Sequence, residues 1–531
     1  MFASFLGLRR AACTTVIGTF LAFGAAPALA QTTLTAVMHA PLRGLDPVIN
    51  SQYIVRNYAY MVYDTLLARD ADNKVQPQMA ETWTVSSDGK VFTFILRDGL
   101  KWHDDKDVKA EDCVASIRRW STMDTMGQVM NTLLEGMAVV DDKTFTMTFR
   151  EPTEIALTAL SKPSGLAAFM MPKRLADTPV SEPIKEEMGS GPFRLVMAEF
   201  KPGIQAVFEK FKGYVPRKEP VSGMAGGKVV TVDRVKWVTM PDPMTTVSAL
   251  LSNEVDLIEF VPYDLMSMLE GNPDVILTGS KLRGTQSIVR LNFLQPPFNN
   301  KLLRQAALLA IDQKDQMQAQ VGNPKYYQLC SAVFGCSSAY ASDIGADKLI
   351  KGQPEKAAEL LKEAKYDGTP VVILHATDVP AFAAMAPVVA QALRKAGFKV
   401  QMKSMDWQTV AVSRGSREPV TNGGWSVFCT INGTADVGEP LGFNAAAANG
   451  KNGYFGWPDV PAIEEARAKF ARTKDPAKLK NIAADLQRLV LDEVLFIPLG
   501  EASSISARRA NIGLGLDSPV PVFWNLTKAG K

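Results

Sequence analysis

Hydrophobic and polar residues alternate through much of the first half of the chain, in paired short runs separated by turn residues. WTVSSDGKVFTFILRDGLKW (83–102) places Phe92, Phe94 and Leu96 on one face, beyond Asp88-Gly89. An Asp-Gly pair supplies the positive φ angles of a tight hairpin turn. VVDDKTFTMTF (139–149) repeats the arrangement with Phe145, Met147 and Phe149 inward, and GPFRLVMAEFKPGIQAVFEKF (191–211) predicts a third hairpin turning at Lys201-Pro202-Gly203. The second half changes period. Leu302, Leu303, Ala306, Leu309 and Ala310 have the spacing of an amphipathic helix, started by Asn299 or Asn300. TPVVILHA (369–376) reads as a strand, Pro380–Lys395 as a helix stopped by Gly397, and FKVQMKSM (398–405) as the returning strand. That βαβ order requires a parallel sheet. Helices at about 459–472 and 475–491 precede a return to strands in EVLFIPLGEASSISARRANI (493–512). Sheet-rich, then α/β, then sheet again predicts two lobes joined by more than one crossing.

Composition adds an address. The 531 residues are too many for one core. Arg9 and Arg10 precede an apolar run from Ala11 to Ala26, and APALA follows with small residues at Ala28 and Ala30. This is a secretory signal, expected to be cleaved after Ala30; either general or twin-arginine export accommodates it. Removing residues 1–30 takes two arginines and no acid, leaving 56 basic against 55 acidic side chains, a net +1. So balanced a charge disfavours nucleic acid and anionic membranes as partners. Cys13 leaves with the signal. Cys330 and Cys336 are expected to form a disulfide in an oxidising compartment, worth about 2 kcal/mol for so short a loop. Cys113 and Cys429 are expected as buried thiols.

One stretch is dense in chemistry. WHDDKDVKAEDC (102–113) holds a histidine, five carboxylates and a cysteine. A metal site needs convergent ligands, yet the other histidines, His39 and His375, are remote in sequence. The preferred reading is structural: Asp107 as the N-cap of a helix, Glu111 and Asp112 near its positive end, Cys113 buried. GMAGGKV (223–229) imitates a phosphate loop without the required spacing and is read as a flexible loop. Neither a Gly-x-Ser-x-Gly elbow nor a His-Glu-x-x-His helix is present.

The segment ETWTVSSDGKVFTFILRDGLKWHDDKDVKAEDCVASIRRW (81–120) resembles the signature of the family 5 extracellular solute-binding proteins, the dipeptide- and oligopeptide-binding components of ABC importers. Trp83, Ser87-Asp88-Gly89, Phe94–Arg97, Trp102-His103-Asp104 and Ala110-Glu111-Asp112 carry the resemblance; Asp105 and Cys113 depart from it. GSGPFRL (189–195), NEVDLIEFVP (253–262), LNFLQPPFNNKLLRQAALLAID (291–312) and VLFIPL (494–499) continue it in order along the chain.

The resemblance implies an α/β, two-lobed periplasmic binding protein fold (type II-like) with an extra sheet-rich subdomain. The expected parts are a signal peptide (1–30), a first lobe (31–283 and 497–531, with a subdomain at about 69–190 inserted) and a second lobe (284–496). A small solute captured between the lobes is delivered to the membrane permease of an ABC transporter, by a monomeric periplasmic protein with no cofactor, no metal and no catalysis. In NGGWSVFCTINGTADVGEP (422–440), Gly423, Gly424 and Trp425 are expected on the cleft wall, although a core tryptophan fits the same pattern. Peptide-binding relatives place an aspartate soon after this tryptophan to pair with the α-amine; Phe428 stands there, and Asn432 and Asp436 follow. Either the solute lacks an α-amine or a differently placed acid holds it. On the facing lobe Gln52 and Tyr53, in LDPVINSQYIVRN (45–57), are the candidates. The competing function is a secreted hydrolase or metal-dependent enzyme using the turn around His103.

Overall fold

Two long strands, Val275–Leu291 and Phe496–Arg509, pair antiparallel from Val275 opposite Arg509 to Arg290 opposite Phe496. The computed structural model that shows them describes residues 31–346, 350–514 and 517–530; the signal segment 1–30 lies outside these. The pair sits in the middle of an 11-stranded sheet. On one side follow Leu257–Ile258, Thr33–Val37, Arg234–Val238, Gln205–Lys210 and Phe193–Leu195; on the other, Val427–Gly433, Val371–Ala376 and Val400–Met405. Pairing slips between Gly279 and Gly284 and again between Ser287 and Ile288. At the second slip Leu499 is unpaired between Pro498 and Gly500. A bulge is where a central strand tolerates proline, which has no N–H for the ladder.

The early hairpins form as their alternation predicts. Ala80–Val85, Val91–Leu96, Thr144–Phe149 and Leu134–Val139 make a separate four-stranded sheet. Gly89 takes φ +71 at the first turn. Phe92, Phe94, Phe145, Met147 and Phe149 are buried, with Phe94 stacked on Phe145 at 5.2 Å. The third hairpin pairs Phe193 with Lys210 and Leu195 with Phe208. Asp107, however, does not cap the following helix, Ala110–Met123. Lys109 is its N-cap, and Asp112 accepts the Lys109 N–H at 2.9 Å and the Lys173 N–H at 2.6 Å. Asp107 lies two residues too early and pairs instead with Lys101 at 2.6 Å. GMAGGKV is also not a loose loop. Its Lys228 is buried against Asp64 at 2.6 Å, Tyr214 donates to the same carboxylate at 2.9 Å, and a Cβ on Gly226 would meet the Pro220 carbonyl at 2.3 Å.

In the second half, Asn300 accepts the Leu302 N–H at 2.9 Å and opens the helix Lys301–Ala310. Val371–Ala376 and Val400–Met405 pair in parallel, and Gly397 ends the connecting helix at φ +106. Cys330 and Cys336 are bonded, and the Cys336 N–H donates to Glu501 at 2.9 Å, tying that loop to the second long strand. Cys113 and Cys429 are buried free thiols, the latter pushed up to about 12 by burial. Among the described residues, no helix is long and apolar enough to cross a membrane.

Trp425 differs from its expected place on the cleft wall. It is fully buried, donates its indole N–H to the Ser416 carbonyl at 3.1 Å, and lies 5.1 Å from the equally buried Phe428 and 6.1 Å from Trp457. Gly424 is glycine because a Cβ there would stand 1.8 Å from the Glu418 carbonyl oxygen, and Gly423 turns the exposed chain at φ +90. These residues anchor the amino end of the strand Val427–Gly433, whereas ligands in α/β sheets sit beyond the carboxyl ends of strands.

Trp425→Ala should therefore lower the unfolding free energy of the solute-free protein by about 3–5 kcal/mol, read from urea denaturation; a variant as stable as its parent would return the indole to the cleft. Lys228→Met should cost a similar amount, about 3–5 kcal/mol, because it strands a buried carboxylate. Adding Asp64→Leu should recover much of that loss.

Candidate solute-binding cleft

The carboxyl ends of strands from both halves of the main sheet converge. His39 follows Thr33–Val37, Asp378 and Phe382 follow Val371–Ala376, Trp407 and Gln408 follow Val400–Met405, and Asp436 follows Val427–Gly433. Facing them is the start of the helix Tyr53–Val62, whose N-cap residue Gln52 makes no side-chain cap bond. Its amide is free to exchange hydrogen bonds with Gln408, at 3.2 and 3.1 Å.

Tyr53 reaches furthest across. Its hydroxyl donates to Asp436 Oδ2 at 2.5 Å and accepts the Gly433 N–H at 2.6 Å. Ser164 donates to the same carboxylate oxygen at 3.0 Å and accepts from Arg56 at 2.6 Å. Arg56 in turn donates to Asn57 Oδ1 at 2.8 Å, and Asn57 donates to Glu259 at 2.8 Å. Glu259 closes the relay with His39 at 2.8 Å. Burial raises the Glu259 carboxyl, but the charge and hydrogen bonds of His39 outweigh it, leaving a net downward shift. Burial also raises Asp436, more than Tyr53, Arg56, Lys162 and Ser164 together lower it. The Tyr53 phenol is pushed well up by burial and by Asp436, which keeps it a donor.

One oxygen of Asp436, Oδ1, is buried without a partner, as is the Asn432 side-chain nitrogen Nδ2. Gly165, at φ +64, leaves room beside that oxygen; a Cβ there would approach it to 3.2 Å. Both residues line a cavity of about 70 Å³, with Gln52, Tyr53, Arg414 and Tyr454 among its other walls. A chamber of about 340 Å³ shares His39, Tyr53, Phe382 and Ile431 with it. Beyond the wall formed by the 434–441 segment and Lys162 runs an open groove of about 1090 Å³.

Of the residues expected from sequence, Gln52, Tyr53, Asn432 and Asp436 come together here. Trp425, Phe428, Gly423 and Gly424 do not line either space. Sequence reasoning missed Arg414, Ser164 and Gly165. Arg414 ends a short helix in a charged stretch that reads as surface, and no local pattern marks it. The turn around His103 is not a convergent site. His103 Nε2 meets the Gly191 carbonyl at 3.1 Å, Asp104 pairs with Lys106 at 2.9 Å, and burial drives the imidazole down to about 4.

Residues 74–455 match the model for bacterial extracellular solute-binding proteins, family 5. Over 490 residues the chain is 38% identical to a probable peptide ABC transporter periplasmic-binding protein of Sinorhizobium fredii, covering 91% of each. It is 25% identical over 513 residues to a glutathione-binding protein of Salmonella typhi, covering 93% of this chain and 94% of that one. The fold is shared with the periplasmic binding protein DppA of Helicobacter pylori, solved with the peptide STSA, at a TM-score of 0.78 and 20% identity over 94% of this chain and 98% of that one. The two-lobed α/β architecture, the cleft at the strand ends and these likenesses agree: the chain belongs to the bacterial extracellular solute-binding proteins of family 5, the ABC-importer components that take up a small solute and deliver it to a membrane permease.

Proposed function

We propose that this protein works in the periplasm, after loss of residues 1–30, and binds peptide-like solutes bearing a free ammonium group, without transforming them. The observation that carries this reading is the unpartnered, buried Oδ1 of Asp436 facing a cavity. A buried carboxylate is costly unless its remaining lone pairs are met, and an ammonium group meets both charge and hydrogen bonding. Asp436 is then the differently placed acid that the position of Phe428 leaves wanting. The relatives named for peptides and for glutathione support a solute of this class. Solute capture without chemistry is supported by the His103 turn, whose side chains are engaged in local ion pairs and backbone contacts.

The lobes we assign are 31–283 with 497–531, and 284–496, with a subdomain at about 69–190 inserted in the first. The slip in strand pairing between Gly279 and Gly284 and the self-contained four-stranded sheet support these boundaries. Tyr53–Asp436, Ser164–Asp436 and Gln52–Gln408 then join one lobe to the other. A solute that touches both favours the closed form by its differential affinity.

The test is Asp436→Asn. Calorimetric affinity for an amine-bearing peptide should fall at least tenfold, about 1.4 kcal/mol. The folded carboxyl is raised above its unfolded value, so its contribution to stability is fully present below the unfolded value and lost as pH rises through the folded one. The solute-free variant should therefore be as stable as the parent at neutral pH, or more so. Affinity in the parent should weaken as pH falls through the raised value, and this dependence should vanish in the variant. Unchanged affinity for every amine-bearing solute would defeat the reading.

A further inference from the structure

Arg414 is a buried cation without an anion. It is only 5% exposed, and its hydrogen bonds among the described residues go to a carbonyl and two hydroxyls, none to a carboxylate. The guanidinium carbon lies 4.4 Å from the Phe455 ring centroid and 5.4 Å from that of Trp407. One terminal nitrogen donates to the Tyr454 hydroxyl at 3.3 Å, and the other makes only a long contact, 3.5 Å, with Ser51. Rings hold the plane of the guanidinium, Nε donates to the Ala411 carbonyl at 3.3 Å, and the two outer nitrogens meet only neutral hydroxyls at long range. A planar fork with two outward donors matches a carboxylate.

Arg414 and Asp436 line the same cavity, and that cavity is only about 70 Å³. One water needs about 10–15 Å³ of such a cavity, so this space takes a handful of non-hydrogen atoms. An α-linked dipeptide carries its ammonium and its carboxylate on Cα atoms about 3.8 Å apart, with a peptide unit between them. An unblocked amino-acid head carries both on one Cα, in five non-hydrogen atoms. The remainder of such a solute has the adjoining chamber of about 340 Å³, in the range of pockets that take small organic ligands.

Building on the cleft and the acid proposed above, we propose that the solute is recognised by an intact α-amino-acid head, its ammonium on Asp436 and its carboxylate on Arg414, with a side-chain-linked substituent in the larger chamber. A γ-glutamyl peptide has this chemistry; its α-linked isomer, of equal composition and charge, does not. Arg414 thus sets specificity within the solute class.

Titration calorimetry of the full mature protein with γ-glutamylalanine and α-glutamylalanine decides the matter. The γ isomer should bind at least tenfold tighter than the α isomer and tighter than free glutamate. Acetylating its amine, or converting the α-carboxylate of its glutamyl head to the amide, should each cost at least tenfold. In Arg414→Gln the acid and that amide should bind equally, a readout that a merely structural arginine would not alter. Equal or tighter binding of the α isomer, failure of both isomers to bind, or an undiminished preference for the acid in Arg414→Gln would overturn the assignment. If the amino-acid head fails while Asp436→Asn still abolishes binding of other amine-bearing peptides, the cleft reading stands alone. If Asp436→Asn is also without effect on those peptides, both fall.

Discussion

The antiparallel pairing of Val275–Leu291 with Phe496–Arg509 is the constraint on which the molecule is built. One pair of strands joins the two halves of the main sheet, so the carboxyl ends of strands from both sides face a shared space. Tyr53 and Asp436 are 383 positions apart in sequence, and they meet because this pairing aligns the edges from which they project. Its ladder slips twice, once with Pro498, which has no N–H for the ladder, beside the unpaired Leu499.

Charge is treated differently inside the lobes and between them. Arg119 grips Asp46 through two bonds at 3.0 and 2.8 Å, Lys162 pairs with Asp124, and Lys228 with Asp64. In each of these the cation has an acid and the surroundings are dry, so the desolvation cost is offset within the fold. In the cleft the acid Asp436 and the cation Arg414 are both buried, yet each retains a face without a charged partner. A fold optimised only for stability would pair or remove them. On the reading proposed above, this incomplete pairing is the source of selectivity, since a solute lacking the complementary group leaves a buried charge unanswered.

Much of the fold was legible in the sequence because its signals are local. Asp88-Gly89, Asn300 and Gly397 each act within a few residues, and each does what its backbone preference dictates. The errors arose where tertiary packing decides. Asp107 looks like a cap, but the helix begins two residues later and Asp112 does the work from inside it. GMAGGKV looks mobile, but Lys228 has a buried acid waiting 164 positions away. The Gly-Trp context suggests a cleft position for Trp425, but the strand it precedes first meets the cavity at Thr430, five residues on. Gln52 and Tyr53 follow from the family resemblance around Leu45-Asp46-Pro47, and Asp436 is the next carboxylate after Phe428; the structure brings the three to one cavity. Arg414 does not stand out, because burial of a charge at the end of a short helix leaves no trace in spacing or periodicity.

The polar contacts already spanning the cleft set the terms of solute capture. Tyr53 and Ser164 satisfy one oxygen of Asp436, and Gln52 and Gln408 satisfy each other. On the lobe assignment proposed above these bonds favour closure, while burying Asp436 Oδ1, Asn432 Nδ2 and Arg414 without charged partners opposes it. A solute tips the balance only to the extent that it fills those particular vacancies better in the closed form than in the open one. Affinity and closure are then one quantity: the groups that define which solute fits are the groups whose isolation opposes closing without it. A tighter set of protein-to-protein bridges would close the lobes on nothing, and a cleft with no buried charge would close on anything of the right size.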